Sequence, residues 1–378
     1  MQERINSIID ALLPVFATLA ALLVGAVMLI FLRVNPLTAY AALWEGAFGS
    51  TNAIAETLVK ATPLLLVGIG ICIAFRADVI NIGGEGQMVV GAILATLIGL
   101  NLENWPGWMV ITVAMLGGFI GGAVWGGIPG FLKAYFNVNE ILSTIMMNAI
   151  AVQGMNFLLR GPMIDPAQAE LASKIPQTAR LLEAFRLPRL VPTRLHLGAG
   201  IAVILAILVY ILLWRTTLGY RIRAVGQSPH ASRYAGISVK SHIILALLFS
   251  GAFAGLAGAT QVFGVNYRMI TDGSATGFTG SAGFNGIVAA LFGQLHPIGT
   301  IPASVLFGAL LVGANKMQRV VQVPSALITA LNGLVVVFVV SSEIWRQRRQ
   351  RDRLRAAALE EEKQVGGGAE PGKEEVGT

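Results

Sequence analysis

The chain has 378 residues, 55% of them hydrophobic and only 12% charged, with a mean hydropathy of +0.70; a soluble domain of this size needs a larger charged fraction, so that class is excluded. The net charge of +7 does not indicate nucleic acid, because the basic residues gather at the ends of apolar runs and in the C-terminal tail, where they act as topology determinants. The single cysteine, Cys72, excludes an intrachain disulfide, and the four histidines (His196, His230, His242, His296) are scattered without metal-site spacing.

The apolar runs predict an all-α, polytopic membrane bundle of about ten segments, at roughly 11–33, 55–75, 84–100, 107–132, 140–160, 196–214, 242–264, 282–294, 299–316 and 323–344. The first, from Ala11 to Leu32, is too long for a signal-peptide core and long enough to cross a bilayer, so it is expected to be a retained span. The third and eighth are short and flanked by glycine, the pattern of broken or re-entrant segments. The permease-like membrane domain is expected over 1–345, and a highly charged, then Gly-rich tail over 346–378 has little to bury and is expected to end disordered.

In chain order, the first informative stretch is Phe75-Arg-Ala-Asp-Val-Ile-Asn-Ile-Gly-Gly-Glu-Gly-Gln87, which interrupts the apolar pattern between the second and third runs. In the fourth run Gly118, Gly122, Gly126 and Gly130 recur every four residues, and Gly251 and Gly255 repeat the spacing in the seventh. Such stripes let helix backbones approach closely where no hydrophobic effect drives association, so they are assigned packing rather than chemistry. Between the fifth and sixth runs lies a proline-rich loop, 161–195, carrying Lys174, Arg180, Arg186, Arg189 and Arg194.

The segment from Arg215 to Lys240 is basic and contains a local helix signal. Ser228 can cap a helix whose first residue is Pro229, where a missing N–H costs nothing, and Gly236 can end it in a left-handed conformation. The product is a helix of about two turns presenting Ala231, Arg233, Tyr234 and Ala235, suited to a groove on a partner; the alternative is a solvated loop with a chance helix signal. Further on, Thr271-Asp-Gly-Ser-Ala-Thr-Gly-Phe-Thr-Gly-Ser-Ala-Gly-Phe-Asn-Gly286 is a second interruption, leading into the eighth run. Interrupted segments in both halves of a membrane chain point to a translocation pathway, because backbone groups freed there must be satisfied by protein, water or solute. Asn81, Glu85, Gln87 and Asn285 would offer hydrogen bonds to a hydroxylated solute, with Phe284 beside them. Otherwise both stretches are connecting turns, with Arg76 and Asp78 paired at the surface.

Orientation follows from the basic residues. The 215–240 segment and the Arg346–Arg355 cluster are separated by four runs, so both are placed on the cytoplasmic side, and counting back puts both termini there. The 161–195 loop then lies outside, although its five basic residues argue against that placement.

Phe75-Arg76-Ala77 followed by Asn81-Ile82-Gly83-Gly84-Glu85-Gly86-Gln87 resembles the "FRAGxFNIGxEGQ" signature of nucleoside and simple-sugar ABC importer permeases, within the wider ribose, galactose and branched-chain amino acid permease group. Gly219, Arg223-Ala-Val-Gly226, Ala231 and Ala235-Gly236-Ile237 resemble that group's cytoplasmic coupling loop. Phe284-Asn-Gly-Ile-Val-Ala-Ala-Leu-Phe-Gly293 with Pro297 and Gly299 resembles its "GFdgIAVALLGxxxPxG" stretch, and Thr193-Arg-Leu-His196 with Gly198 matches the approach to the sixth span. The similarity runs from about residue 55 to 343. Departures are Asp78 where Gly is usual, Ile80 for Phe, Asn285 for Asp, Ser228 for Asn and Ser232 for Ala.

The resemblance implies two related halves within the chain and a heteromeric importer in a bacterial plasma (inner) membrane. This subunit would form the path, and Gly219, Arg223, Gly226, Ala231, Arg233, Ala235 and Gly236 would engage a separate tandem-cassette ATPase. A second homologous permease and an extracytoplasmic binding protein or lipoprotein would complete it. Nucleosides are the implied solutes, since the Glu85-Gly-Gln87 signature is closer to the nucleoside branch than to the ribose branch; a pentose or other simple sugar is the alternative. No cofactor is expected, ATP being used by the partner: Gly372-Lys373 is followed by Glu374, so no phosphate-binding loop forms there. A secondary transporter would have only Arg76, Asp78 and Glu85 for ion coupling. A membrane enzyme would need a nucleophile–base or metal constellation that the runs do not contain.

Overall fold

In the computed structural model, residues 19–324 are described apart from 172 and 173, together with residue 16 and isolated positions between 330 and 341. The described elements are α1 (Leu19–Phe31), α2 (Pro36–Phe48), α3 (Thr51–Arg76), α4 (Gly84–Asn101), α5 (Gly107–Phe136), α6 (Glu140–Arg160), α7 (Pro166–Ala169), α8 (Gly198–Arg215), α9 (Thr217–Gln227), α10 (Pro229–Tyr234), α11 (Val239–Gln261), α12 (Ala275–Thr279), α13 (Ala282–Phe292) and α14 (Pro297–Val321). A π-turn, Val262–Asn266, extends α11. Helices α3, α5, α6, α8, α11 with its π-turn, and α14 are long and apolar enough to cross a membrane. The protein is therefore an integral, multi-pass, all-helical membrane protein, and among the described residues no strand forms.

The expected runs from 55–75 to 299–316 each coincide with a helix. The third, expected to be broken or re-entrant, is an unbroken helix of 18 residues, about 27 Å long, and is not among the six helices apolar enough to cross a membrane. The eighth, α13, has 11 residues, about 16 Å, and cannot cross a bilayer alone. The tenth run and the tail fall almost wholly outside the described residues. Helix α2 was not expected: its start signals are present, with Asn35 Oδ1 accepting from the Leu37 N–H at 2.9 Å and Pro36 opening the helix. At 13 residues it is too short to register as a span.

The bundle is built around α3, 83% of whose apolar stretch is buried, while α6 at the edge buries only 17%. Ser50 caps α3 through the Ala53 N–H at 3.1 Å. Cys72 is buried in the centre, its sulfur 3.4 Å from the Thr300 hydroxyl of α14. The glycine stripes, assigned to packing from their spacing, meet each other. A Cβ at Gly126 would lie 2.6 Å from the Leu247 carbonyl oxygen, and one at Gly118 2.7 Å from the Ala259 Cβ. One at Gly122 would overlap the Gly251 carbonyl outright, and one at Gly91 of α4 would overlap Gly255. Helices α4, α5 and α11 thus touch backbone to backbone.

Residues 176–187 of the 161–197 loop pack against the chain just after α11. The Thr178, Leu181 and Leu187 N–H groups donate to the Met269, Tyr267 and Phe263 carbonyls at 2.8–2.9 Å. Two of its four arginines are engaged there: Arg186 pairs with Glu183 at 2.7 Å, and Arg186 and Arg180 lie 4.6 and 5.9 Å from the Tyr267 ring.

Candidate functional site

The first interruption begins where α3 ends at Arg76. Asp78 adopts φ 58°, a left-handed conformation that glycine takes freely and that Asp and Asn tolerate better than other residues. The chain then crosses to the start of α4 at Gly84. Asn81 is fully buried and holds this crossing. Its Nδ2 donates to Gln87 Oε1 at 3.0 Å and to Ser250 Oγ at 2.8 Å, and its Oδ1 accepts from the Gly83 N–H at 2.8 Å and from Gln87 Nε2 at 3.1 Å. From α6, Asn148 Oδ1 accepts from the Gly86 N–H at 2.8 Å while its Nδ2 donates to the Ile82 carbonyl at 3.0 Å. The backbone groups freed by the interruption are thereby satisfied by side-chain amides.

The second interruption closes on the first. Glu85, 1% exposed, accepts a hydrogen bond from the Thr279 hydroxyl through Oε2 and one from the Phe284 N–H through Oε1 at 3.2 Å. The backbones cross beside it, a Cβ at Gly84 lying 3.2 Å from the Gly283 Cα. Of the residues expected to line a path, Asn81, Glu85 and Gln87 are thus brought together in a buried network. Phe284 is 45% exposed and Asn285 half-buried on the outer side of that crossing. Sequence reasoning missed Asn148, Ser250, Thr279 and also Asn156, whose Oδ1 accepts from the Thr271 hydroxyl at 2.7 Å and whose Nδ2 donates to the Gly273 carbonyl at 3.1 Å. The available signal was an isolated amide in an apolar helix, which must find a partner.

The segment after α8 forms two helices. Thr216 Oγ1 caps α9 by accepting from the Gly219 N–H at 3.1 Å, and Ser228 Oγ caps α10 by accepting from the Ala231 N–H at 3.2 Å. Pro229 opens α10 and Gly236 follows it at φ 76°, so the expected short helix forms as its caps dictate. The two helices face opposite ways. On α9, Gly219 packs without room for a Cβ on the Leu212 carbonyl, Gly226 does the same on the Arg76 carbonyl, and Arg223 is half-buried. On α10, Ala231, Arg233, Tyr234, Ala235 and the following Gly236 are exposed, Tyr234 at 94%.

Trp214, near the end of α8, joins these parts. Arg76 and Arg223 lie 5.2 and 5.8 Å from its ring, and His296 and Tyr210 pack on it at 4.9 and 5.4 Å between centroids. Arg76 Nη2 also donates to the Leu295 carbonyl at 3.3 Å, in the turn between α13 and α14. Burial first, and then the Arg76 charge, holds the His296 imidazole below its ordinary pKa.

Residues 53–340 match the family described as branched-chain amino acid transport system / permease component. The chain is 36% identical over 331 residues to the guanosine ABC transporter permease protein NupP of Bacillus subtilis, covering 88% of this chain and 93% of that one. It is 32% identical over 347 residues to the glucose ABC transporter permease protein TsgB13 of Haloferax volcanii, covering 89% and 88%. It is 30% identical over 338 residues to the nucleoside ABC transporter permease protein NupB of Lactococcus lactis, covering 88% and 92%. No solved structure matches the chain.

Proposed function

The chain belongs to the branched-chain amino acid transport system / permease component family and is the permease subunit of an ABC importer, and from that premise we propose that it carries a nucleoside past the junction of its two interrupted segments. What supports this path is one set of contacts: Glu85 of the first interruption is hydrogen-bonded by Thr279 and Phe284 of the second, and α9 rests through Gly226 on Arg76, where the first begins. A displacement of α9 and α10 is passed directly to both interruptions. Asn81, Glu85 and Gln87 hold the crossing, while Phe284 and Asn285 present an aromatic face and an amide, the pair of contacts a nucleobase takes.

The tandem-cassette ATPase docks on the exposed face of α10, with Arg223 and Trp214 tying α9 to the bundle. ATP is bound and hydrolysed by that partner, and this subunit needs no cofactor. The 215–240 segment and both termini are cytoplasmic, the 161–195 loop faces outside towards a binding protein or lipoprotein, and the membrane is a bacterial plasma membrane. A second, homologous permease covers α6. Along that helix Ile145, Met146, Ile150 and Phe157 are exposed beside Gln153 and Gly154, and a polar side chain midway along a span needs a polar neighbour rather than lipid. The two halves of the chain are related by their interruptions, 75–87 and 271–286.

Uptake of labelled guanosine by the reconstituted complex, with unlabelled nucleosides and sugars as competitors, tests the substrate. Nucleosides are expected to compete and glucose and pentoses not to; competition by sugars alone would give the path to a sugar instead.

A further inference from the structure

We propose that the cleft between α2, α3, α14 and the 189–196 turn is a binding site for the phosphodiester headgroup of an anionic phospholipid. The cleft has a volume of about 580 Å³ and is lined by Arg189, Arg194, Lys316 and Arg319 against Glu45 and Glu56. Lys316 and Glu45 pair with each other at 2.7 Å, and Arg319 Nε donates to the Asn315 carbonyl at 3.2 Å. Among the described residues no carboxylate forms an ion pair with Arg189, Arg194 or Arg319. Three guanidinium groups therefore converge with one carboxylate, Glu56, left to balance them. Guanidinium presents paired donors that match two phosphate oxygens, and Ser50 and Asn52 on the same wall add neutral partners.

The arginines are held in place by the fold. The Leu190 N–H donates to the Leu195 carbonyl and the Leu197 N–H to the Pro188 carbonyl, each at 2.8 Å, and Arg189 pairs with buried His196 in an antiparallel bridge. This turn holds Arg189 at its base and Arg194 nearer its tip, and leaves Leu190 and Val191 exposed. On the other side of the cleft, α2 buries Ala39, Ala42, Gly46 and Ala47 and turns Trp44 outward, 67% exposed and 4.8 Å from Phe48. A cationic cleft between an exposed indole and two exposed aliphatic side chains is the composition of a membrane–water interface, where Trp sits at headgroup level and basic side chains gather anionic lipid. The cleft lies at the Ser50 end of α3 and the coupling helices at its Arg76 end, about 39 Å apart along the helix, so the site is separate from the junction.

The test uses the full chain, purified and returned to nanodiscs of phosphatidylcholine with or without phosphatidylglycerol, followed by native mass spectrometry of retained lipid. Phosphatidylglycerol is expected to be retained in preference to phosphatidylcholine, with affinity falling about tenfold for each arginine removed in R189Q and R194Q. R189K/R194K is expected to keep most of the preference, and raising the salt on the unmodified protein to erode it. That salt series decides the matter even if the glutamine variants fail to fold. Equal retention of the two lipids, or a preference unchanged in R189Q/R194Q and in high salt, would overturn the proposal. Displacement of phosphatidylglycerol by inorganic phosphate at equal concentration would overturn it in favour of a free-anion site. Loss of binding-protein capture with lipid preference intact would overturn it in favour of a docking surface.

Discussion

Glu85 is the residue on which the two interruptions depend. Glu85→Ala removes the carboxylate that accepts from Thr279 and from the Phe284 N–H in a buried site, a cost of about 1–3 kcal/mol. The variant is expected to unfold at lower temperature in detergent and to lose uptake, with Glu85→Gln intermediate because an amide oxygen can still receive the Phe284 N–H. An unchanged melting curve for the alanine variant would show that the bridge carries no stability. Asp78 makes a second, independent point. Its left-handed φ explains why the related permeases favour glycine there, and Asp78→Gly is expected to match or exceed the native stability. Asp78→Val is expected to lose about 1–2 kcal/mol, read from the same melting experiment.

At the scale of elements, α9 and α10 separate two roles that the sequence presents as one continuous motif. Gly226→Leu drives a side chain into the Arg76 carbonyl, so it is expected to displace α9 and abolish uptake. Ala235→Trp alters only an exposed face of α10, so it is expected to leave folding intact while preventing the ATPase from co-purifying. Uptake and ATPase recovery at native levels in both variants would remove the coupling role. Trp214→Ala is expected to leave ATP hydrolysis running while uptake falls, because the ring links Arg76, Arg223 and His296; Trp214→Phe restores part of the coupling. Helix α10 was legible from the sequence because its caps, Ser228, Pro229 and Gly236, are local. The packing role of the glycine stripes was legible because their four-residue spacing fixes one helix face, whereas the pairing of one stripe with the other was not. Asn148 and Thr279 were not, since a buried partner far along the chain leaves no local pattern. Helix α2 was missed because it is too short to register as a span, and the continuity of α4 because its polar first turn, Glu85 to Gln87, looks like a break until Asn81 and Asn148 are seen to satisfy it.

For the whole molecule, the thinly buried α6 is the face on which the proposed second permease would sit. Gly154 has no neighbour within 4 Å of a Cβ, so Gly154→Leu is expected to fold normally alone yet to recover less of the second permease on co-expression. Equal recovery would place lipid, not protein, against that face. The crossing at Glu85 also bears on what the molecule admits. The first turns of α4 and α13 abut there, and two such termini each carry a partial positive charge, which in other transporters draws the anionic group of a solute. Here the polypeptide supplies its own carboxylate to that spot. A phosphate ester would find those donors already occupied by Glu85, so on the proposed path nucleotides are expected to compete less well for uptake than the parent nucleosides, a selection made before any fit of shape.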